Sequence, residues 1–229
     1  MNPTLSIIVP AYNEEKTIAR IMARLIALPF PKGVCEIIVV NDGSMDGTEK
    51  AIAPFLSHIV LLSHAHKKGK GAAVRAGLER ARGAYTIIQD ADAEYAPEEI
   101  PALLKTLQQN PSTDALYGSR NLAPTGRGYR HYVLGAWLLT KCVNLIFHTR
   151  LTDTYTCYKL MRTDLFHQLN LASNGFEIEM EITARLLKNK KKIIEEPISY
   201  APRAFLEGKK IRWSDGVRGL AALLRIVLE

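Results

Sequence analysis

The sequence predicts an α/β fold in which a mostly parallel sheet is flanked by helices. Two observations carry that reading. Short β-branched runs alternate with segments of helical apolar spacing through the first half of the chain, the pattern of βαβ units. The conspicuous polar groups follow those runs, at 12–14, 41–44, 90–94 and 119–120. In open sheets of this kind ligands bind at the carboxyl ends of the strands, so four loops converge on one rim.

The run at 5–9 is short and β-branched, and Pro10, which has no N–H for a ladder, marks its end. Over 14–28, Ile18, Ile21, Met22 and Leu25 recur at helical spacing. A second buried-type strand at 36–40 closes on Asn41-Asp42-Gly43-Ser44, and Asp46 stands as the N-cap of a helix toward Phe55. A strand at 59–62, a helix at 71–82, a strand at 85–89, a helix at 97–109 and a short strand at 115–118 follow; Pro97 suits a helix start. Beyond them lie helical patterns at 135–147 and 177–188, a strand-like 192–199 and a basic C-terminal segment. No repeat, low-complexity tract or linker divides the chain, so 1–229 reads as one domain.

With 229 residues, 47% of them hydrophobic and 23% charged, the chain is long enough to bury a core and too apolar for disorder. Thirty Lys and Arg against 23 Asp and Glu give a formal charge of +7. That sign suits phosphorylated substrates, a membrane surface or nucleic acid and does not choose among them. Basic residues gather at Lys67, Lys68 and Lys70, over 188–192, and at Lys209, Lys210 and Arg212. The middle group follows a helical segment and reads as a solvated cap on its negative end. Cys35, Cys142 and Cys157, at unrelated spacings, argue against a disulfide framework or zinc site and for a reducing compartment. Pro10, Asn13, Glu14 and Glu15 break the first apolar run, unlike a signal peptide. The longest run, 132–147, is interrupted by Lys141 and falls short of the ~20 residues a span needs. The expectation is a cytoplasmic protein, or one peripheral at the cytoplasmic face of a membrane.

The segment 89–94 carries the most chemistry. Acids at every second position share one side of an extended chain, so Asp90, Asp92 and Glu94 can aim at one point. Three such carboxylates repel one another unless a cation neutralises them. Oxygen ligands at an open site suit Mg²⁺ or Mn²⁺, which keep positions for water and substrate phosphates. The ion would act as a Lewis acid on a departing diphosphate. A solvated acidic turn capping the helix at Pro97 accounts for the same residues; their place directly after an apolar strand favours the metal site. Asp42 sits in a turn where Gly43 permits positive φ, and either a nucleobase N–H or local turn bonds can use its carboxylate. Gly69-Lys70-Gly71 precedes a helix whose free N–H groups, with the lysine, suit phosphate, but it lacks P-loop or dinucleotide-fingerprint spacing.

Together these motifs resemble family 2 glycosyltransferases of the GT-A fold, among them the dolichol- and polyprenyl-phosphate mannosyltransferases. The matching stretches are SIIVPAYNEEKTI, EIIVVNDGSMDGT, GKGAAVRAGLERARG, YTIIQDADAEYAPEEI, LYGSRN, DTYTCYKLMR and EGKKIRW, in order along almost the whole chain. The resemblance implies a Rossmann-like GT-A sheet, with 1–120 as the nucleotide-sugar-binding half and 121–229 as the acceptor-side half. Pro10, Tyr12 and Glu14 would line the nucleotide pocket, with Lys70 and Ala91 among the donor-binding residues, and Asp42 would read the base. Asp90 would sit near the diphosphate, with Asp92 and Glu94 joining it around Mg²⁺ or Mn²⁺. Arg120 and Arg203 would contact phosphates of donor or acceptor, work that suits a planar fork of donors; a surface ion pair is the plainer use of each.

The implied reaction is an inverting single displacement moving a hexose from a nucleotide sugar, GDP-mannose being the first choice, to a polyprenyl phosphate. The alternative acceptor is a protein or saccharide hydroxyl with a UDP-sugar donor, and then Asp92 or Glu181 would serve as base. Asn41 replaces the first acid of the family's Asp-Asp-Gly-Ser, and Cys157-Tyr158 stands where Gly-Phe is frequent. Transmembrane helices that follow the catalytic domain in some members have no counterpart in these 229 residues. Helix-start electrostatics alone explain Glu177, Glu179 and Glu181; Glu181 is kept as a lesser candidate by family position. The stripe of Trp213, Val217, Leu220, Leu224 and Val227, with Arg212, Arg218 and Arg225, fits either packing on the domain or contact with anionic lipid. A nucleotidyltransferase would want a glycine-rich signature near the N-terminus that the sequence lacks. A nucleic-acid module is suggested only by charge, and acids on the rim without an aromatic-plus-basic pattern argue against it.

Overall fold

The computed structural model describes residues 2–123, 130–203 and 213–229. The EGKKIRW stretch up to Arg212, with Lys209 and Lys210, lies outside them. Among the described residues seven strands form one sheet: β1 (Leu5–Ala11), β2 (Cys35–Asn41), β3 (Val60–Ser63), β4 (Tyr85–Ile88), β5 (Ala115–Ser119), β6 (Lys159–Arg162) and β7 (Ile193–Pro197). Their order is β3-β2-β1-β4-β6-β5-β7. The pairs β1–β2, β1–β4, β2–β3 and β5–β7 are parallel, while β6 runs antiparallel to both β4 and β5. The mostly parallel α/β sheet is the one the sequence predicts. Ile7, Ile8, Val9, Ile38, Val39, Val40, Ile87 and Ile88 are completely buried, as expected of strands covered on both faces. β6 was not foreseen. It has four residues with a charge at each end, so neither an apolar run nor an alternation marks it.

β1 continues one residue past Pro10, contrary to expectation. The Gln89 N–H donates to the Ile8 carbonyl and the Asp42 N–H to that of Ala11. Alternate residues of a parallel strand bond to opposite neighbours, so the missing N–H of Pro10 faces β4, whose pairing has already ended at Ile8↔Ile88. The proline costs no ladder bond.

The helices are α1 (Ile18–Ile26), α2 (Thr48–Ile52), α3 (Lys70–Arg80), α4 (Ile100–Gln109), α5 (Arg130–Phe147), α6 (Thr163–Gln168), α7 (Ile178–Lys188) and α8 (Trp213–Leu228). α1 buries the four residues its spacing singled out. The N-cap of α2 is Gly47, one residue beyond the expected Asp46; Asp46 Oδ1 still accepts the Thr48 N–H at 3.0 Å from just ahead of the helix. α5 begins five residues earlier than its apolar pattern suggested, and the short α6 carries no pattern long enough to read. A small second core of Val143, Met180, Ala184, Leu223 and Ile226 joins α5, α7 and α8. The α8 stripe named above is not the one that packs: Leu223 and Ile226 are buried, whereas Val217 and Leu224 remain 55% and 48% exposed. Among the described residues, no helix is long and apolar enough to cross a membrane.

Gly77 lets α3 lie directly on β1, since a Cβ there would stand 2.5 Å from Cγ2 of the fully buried Ile8. Alanine normally stabilises a helix interior over glycine by about 1 kcal/mol, whereas overpacking costs about 1–3 kcal/mol. Gly77→Ala is therefore expected to destabilise on balance, seen as a lower urea midpoint with an unchanged slope.

Candidate active site

The strand ends do converge. The loops after β1 and β2 are stitched together: the Asn13 N–H donates to Ser44 Oγ at 3.0 Å, the Met45 N–H to Asn13 Oδ1 at 2.9 Å and the Glu14 N–H to Thr48 Oγ1 at 2.7 Å. Asn13 adopts φ 49° and Gly43 φ 67°, conformations that asparagine and glycine tolerate. Asn41 Oδ1 accepts the Ser44 N–H at 3.1 Å, so the amide holds the turn that an aspartate would otherwise build.

Asp42 is 2% exposed. Its Oδ1 accepts the Lys68 N–H at 2.9 Å and lies 2.7 Å from His64 Nδ1, while Oδ2 accepts the Gly69 N–H at 2.7 Å. These are the local bonds of a loop anchor, and they place the start of α3. Gly69 is needed there twice over: its φ is 106°, and a Cβ would collide with the Asn174 carbonyl oxygen. Lys70, the next residue, extends to Asp90 Oδ1 at 2.7 Å.

The acidic segment after β4 is a turn, not an extended chain. Ala93 has φ 62°, in the left-handed region that a Cβ disfavours, and the Glu94 N–H donates to Asp92 Oδ1 at 3.0 Å. The alternation that would have aimed three carboxylates at one point is lost: Asp90 turns to Lys70, while Asp92 and Glu94 share Arg203. Asp90 meets Lys70, and Asp92 Oδ2 lies 3.1 Å from Arg203 Nη2. Glu94 accepts from the Tyr200 hydroxyl and, at 3.0 Å, from the Arg203 N–H. Among the described residues, no three His, Cys, Asp or Glu side chains stand together as a metal-ligand set. Ala91 is buried beneath the turn.

Burial, followed by repulsion from Asp90 and then Glu94, pushes the Asp92 carboxyl up to about 7, and Arg203 offsets only part of this. Arg203 also pairs with Glu14 through Nη1 and Nη2 at 3.0 and 3.3 Å. Its guanidinium is thus bracketed by Glu14, Asp92 and Glu94, and its Nε is buried without a hydrogen-bond acceptor.

Arg120, at the end of β5, spends its fork on Asp153, with Nε to Oδ2 at 2.7 Å and Nη2 to Oδ1 at 2.9 Å. It also lies over the Tyr200 ring, 5.1 Å from the centroid. Pro10 and Tyr12 are on the rim, with Lys67 Nζ 4.2 Å from the Tyr12 ring centre. Glu181 is elsewhere: its carboxylate accepts the Ala172 and Ser173 N–H groups and pairs with Arg185 at 3.1 Å. It anchors the loop before α7. The acid of α7 that reaches the rim is Glu179, 2.9 Å from Lys70. Sequence reasoning missed Glu179, Lys159 and Asp153. The only signal for the last two was their place in the DTYTCYKLMR stretch, and Glu179 was hidden among three glutamates at a helix start.

A rim that sets lysine and arginine beside carboxylates at the ends of parallel strands is equipped to hold a polyanion and its counter-ion. The fold is of the GT-A class. Over 98% of this chain and 80% of the other, it superposes with a TM-score of 0.74, at 21% identity, on glucosyl-3-phosphoglycerate synthase from Mycobacterium tuberculosis in complex with Mn²⁺, UDP and glucosyl-3-phosphoglycerate. It also superposes on S. aureus TarS 1-349 in complex with UDP-GlcNAc, with a TM-score of 0.67 at 17% identity over 99% and 67% of the two chains. The chain belongs to glycosyl transferase family 2, whose model matches residues 6–169. Among curated relatives it is 30% identical over 204 residues to the low-salt glycan biosynthesis hexosyltransferase Agl6 of Haloferax volcanii, covering 88% of this chain and 48% of that protein. It therefore spans about half the length of that relative. It is 30% identical to dolichyl-phosphate beta-glucosyltransferase ALG5D of Trichomonas vaginalis over 98% of this chain and 73% of the other. Identity to polyprenol monophosphomannose synthase of Mycolicibacterium smegmatis is 29%, over 90% and 82% of the two chains.

The raised carboxyl of Asp92 has a consequence for stability. Its folded form holds a proton more tightly than the unfolded chain, so its contribution favours folding at low pH and is lost as pH rises from about 4 through about 7. Asp92→Asn is expected to gain stability relative to the unaltered protein between pH 5 and pH 8, measured by urea unfolding at both; a pH-independent difference would contradict the assignment.

Proposed function

We propose that the protein transfers a hexose with inversion from a nucleotide sugar, GDP-mannose first among candidates, to a polyprenyl phosphate. The observation that carries this is the bracketing of Arg203 by Glu14, Asp92 and Glu94. It brings a guanidinium suited to phosphate from near the C-terminus to the acidic turn after β4. Two relatives support the acceptor, one named a dolichyl-phosphate beta-glucosyltransferase and the other a polyprenol monophosphomannose synthase. Several solved structures of glucosyl-3-phosphoglycerate synthase hold UDP, three of them with Mn²⁺ or Mg²⁺, and so support a divalent ion; they also favour, as second reading, a UDP-sugar donor.

Asp90, Asp92 and Glu94 carry the hard oxygen donors such an ion takes. They now face Lys70, Arg203 and Tyr200 and would turn from those partners to hold it, and the proton affinity of Asp92 marks a place short of positive charge. When bound, the ion would supply Lewis-acid stabilisation of the leaving diphosphate. Lys70 and Arg203 would hold phosphate oxygens, and Tyr12 and Pro10 would flank the nucleoside, with Asp42 fixing the loop it rests on and, by family position, facing the base. Catalysis is then chiefly positioning and electrostatic stabilisation. A phosphate acceptor is already anionic near neutral pH and needs no strong general base.

Asp92→Asn is expected to lower transfer by about 100-fold or more, the scale for loss of a charge-stabilising group, while near-ultraviolet circular dichroism stays unchanged. Thin-layer analysis should find the labelled product lipid-extractable; full metal-dependent turnover in the variant, or a product left in water, would sink the respective half of the reading.

A lipid acceptor also calls for a surface that meets a bilayer. Leu134, Trp137, Leu138 and Leu145 of α5, and Val217, Leu220 and Leu224 of α8, are all exposed, with Lys141, Arg218 and Arg225 among them. Apolar side chains flanked by cations suit an anionic membrane interface. Sedimentation with anionic liposomes is expected for the unaltered protein and reduced in Trp137→Glu with Leu224→Glu; negligible binding by both would rule out this contact.

A further inference from the structure

Beneath the rim lies a second set of charges that no motif assigns. Lys159, the first residue of β6, is completely buried, and its ammonium donates to the Thr156 carbonyl and to Glu179 Oε2, each at 2.5 Å. Glu179, in the first turn of α7, is 3% exposed, and its Oε1 lies 2.9 Å from Lys70 Nζ. Lys70 in turn reaches Asp90 Oδ1 at 2.7 Å. The charges alternate Lys159, Glu179, Lys70, Asp90 along a line from the core to the rim, and each comes from the terminus of a different element or from the loop after β4.

Stability alone does not account for this arrangement. Buried ion pairs are commonly no better than apolar side chains of similar volume, because each charge must shed water. Lys70 also opens α3, the end of a helix where the backbone dipole repels a cation. Its position is therefore imposed by its two carboxylate partners. Burial alone would raise the Glu179 carboxyl, yet Lys159 and Lys70 together hold it below the usual range, so it remains an anion able to grip both. The main chain around Lys70 is already fixed by the Gly69 bond to Asp42 and by Arg75, which donates to Ser173 and Asn174. Only the flexible stem of the lysine is left to position.

We infer that Glu179, itself held by Lys159, is a positioning residue that keeps the Lys70 ammonium at the rim when the donor diphosphate arrives. The inference rests on the proposed reading of the rim as a nucleotide-sugar site. Asp90 alone is an unreliable hold, because a bound divalent ion would compete for it. Glu179 stays in place, and because Lys159 shares its charge, Lys70 keeps its pull on phosphate.

Glu179→Gln alone would strand the buried Lys159, so the informative variant joins Glu179→Leu to Lys159→Met, which removes both charges; Glu179→Asp is its conservative companion. UDP and GDP, each with Mn²⁺, are titrated calorimetrically. The charge-free variant is expected to keep its circular dichroism and melting temperature and to bind the nucleoside diphosphate at least tenfold more weakly. Adding Lys70→Met to it should cost almost nothing more, although Lys70→Met alone weakens binding similarly. Glu179→Asp should fall between. Unchanged affinity in Glu179→Asp or in the folded charge-free variant, or a full further loss on adding Lys70→Met, would overturn the inference and leave the site reading standing. If the unaltered protein binds neither nucleotide, the site reading fails and takes this inference with it.

Discussion

The rim is organised by one electrostatic constraint: carboxylates from the loops after β1 and β4 share a confined space, and Arg203 comes back across the sheet to meet them. Glu14, Asp92 and Glu94 all face that guanidinium. The arm carrying it is laid down by backbone bonds, with the Ile198 N–H donating to the Ser119 carbonyl and the Ala201 N–H to that of Glu94. Tyr200 packs edge-on against Tyr95, with ring centres 5.4 Å apart. Like charges this close, in a partly desolvated place, must be neutralised or protonated. Arginine, which stays charged at any working pH, supplies part of that neutralisation, and Asp92 shows what is left over.

Much of this was legible in the chain. The apolar runs of β1, β2 and β4 have no other use than a sheet buried on both faces, and the residues following them are too polar to be buried without purpose. What the sequence could not show was local backbone conformation. Asp90, Asp92 and Glu94 share a side only if the segment is extended, and Ala93 at φ 62° turns it instead. A period-two pattern is a statement about strands, and it lapsed at the point where the strand ended. Glu181 and Glu179 illustrate a related limit. Two residues apart on a helix, they diverge by about half a turn, and only the packing of α7 decides which one faces Lys70. For α8 the apolar stripe was seen correctly and its orientation was not, because Gly219, Ala222, Leu223 and Ile226 provide the closer-packing face. Composition names two faces; fit chooses between them.

The site contains two kinds of polar contact, and the difference bears on how it works. Asp42 is bonded to two main-chain N–H groups and to His64, and Arg120 and Asp153 are locked fork to fork. Glu179 sits buried between two lysines. Disturbing any of these would leave buried polar groups unpaired, at a cost of about 1–3 kcal/mol for each group or more where it is charged. Asp92 and Arg203 answer to different terms. Their side chains are 17% and 15% exposed, and an arriving ion and diphosphate offer each of them a partner of the same kind as the one it gives up. A carboxylate can exchange guanidinium for a metal ion, and a guanidinium can exchange carboxylate for phosphate, without either being stranded. On the proposed reading, the rigid set would fix where the donor lies, and the exchangeable set would let it in. Loading would then swap ionic partners and not break them, so the ion pairs of the rim are compatible with donor binding.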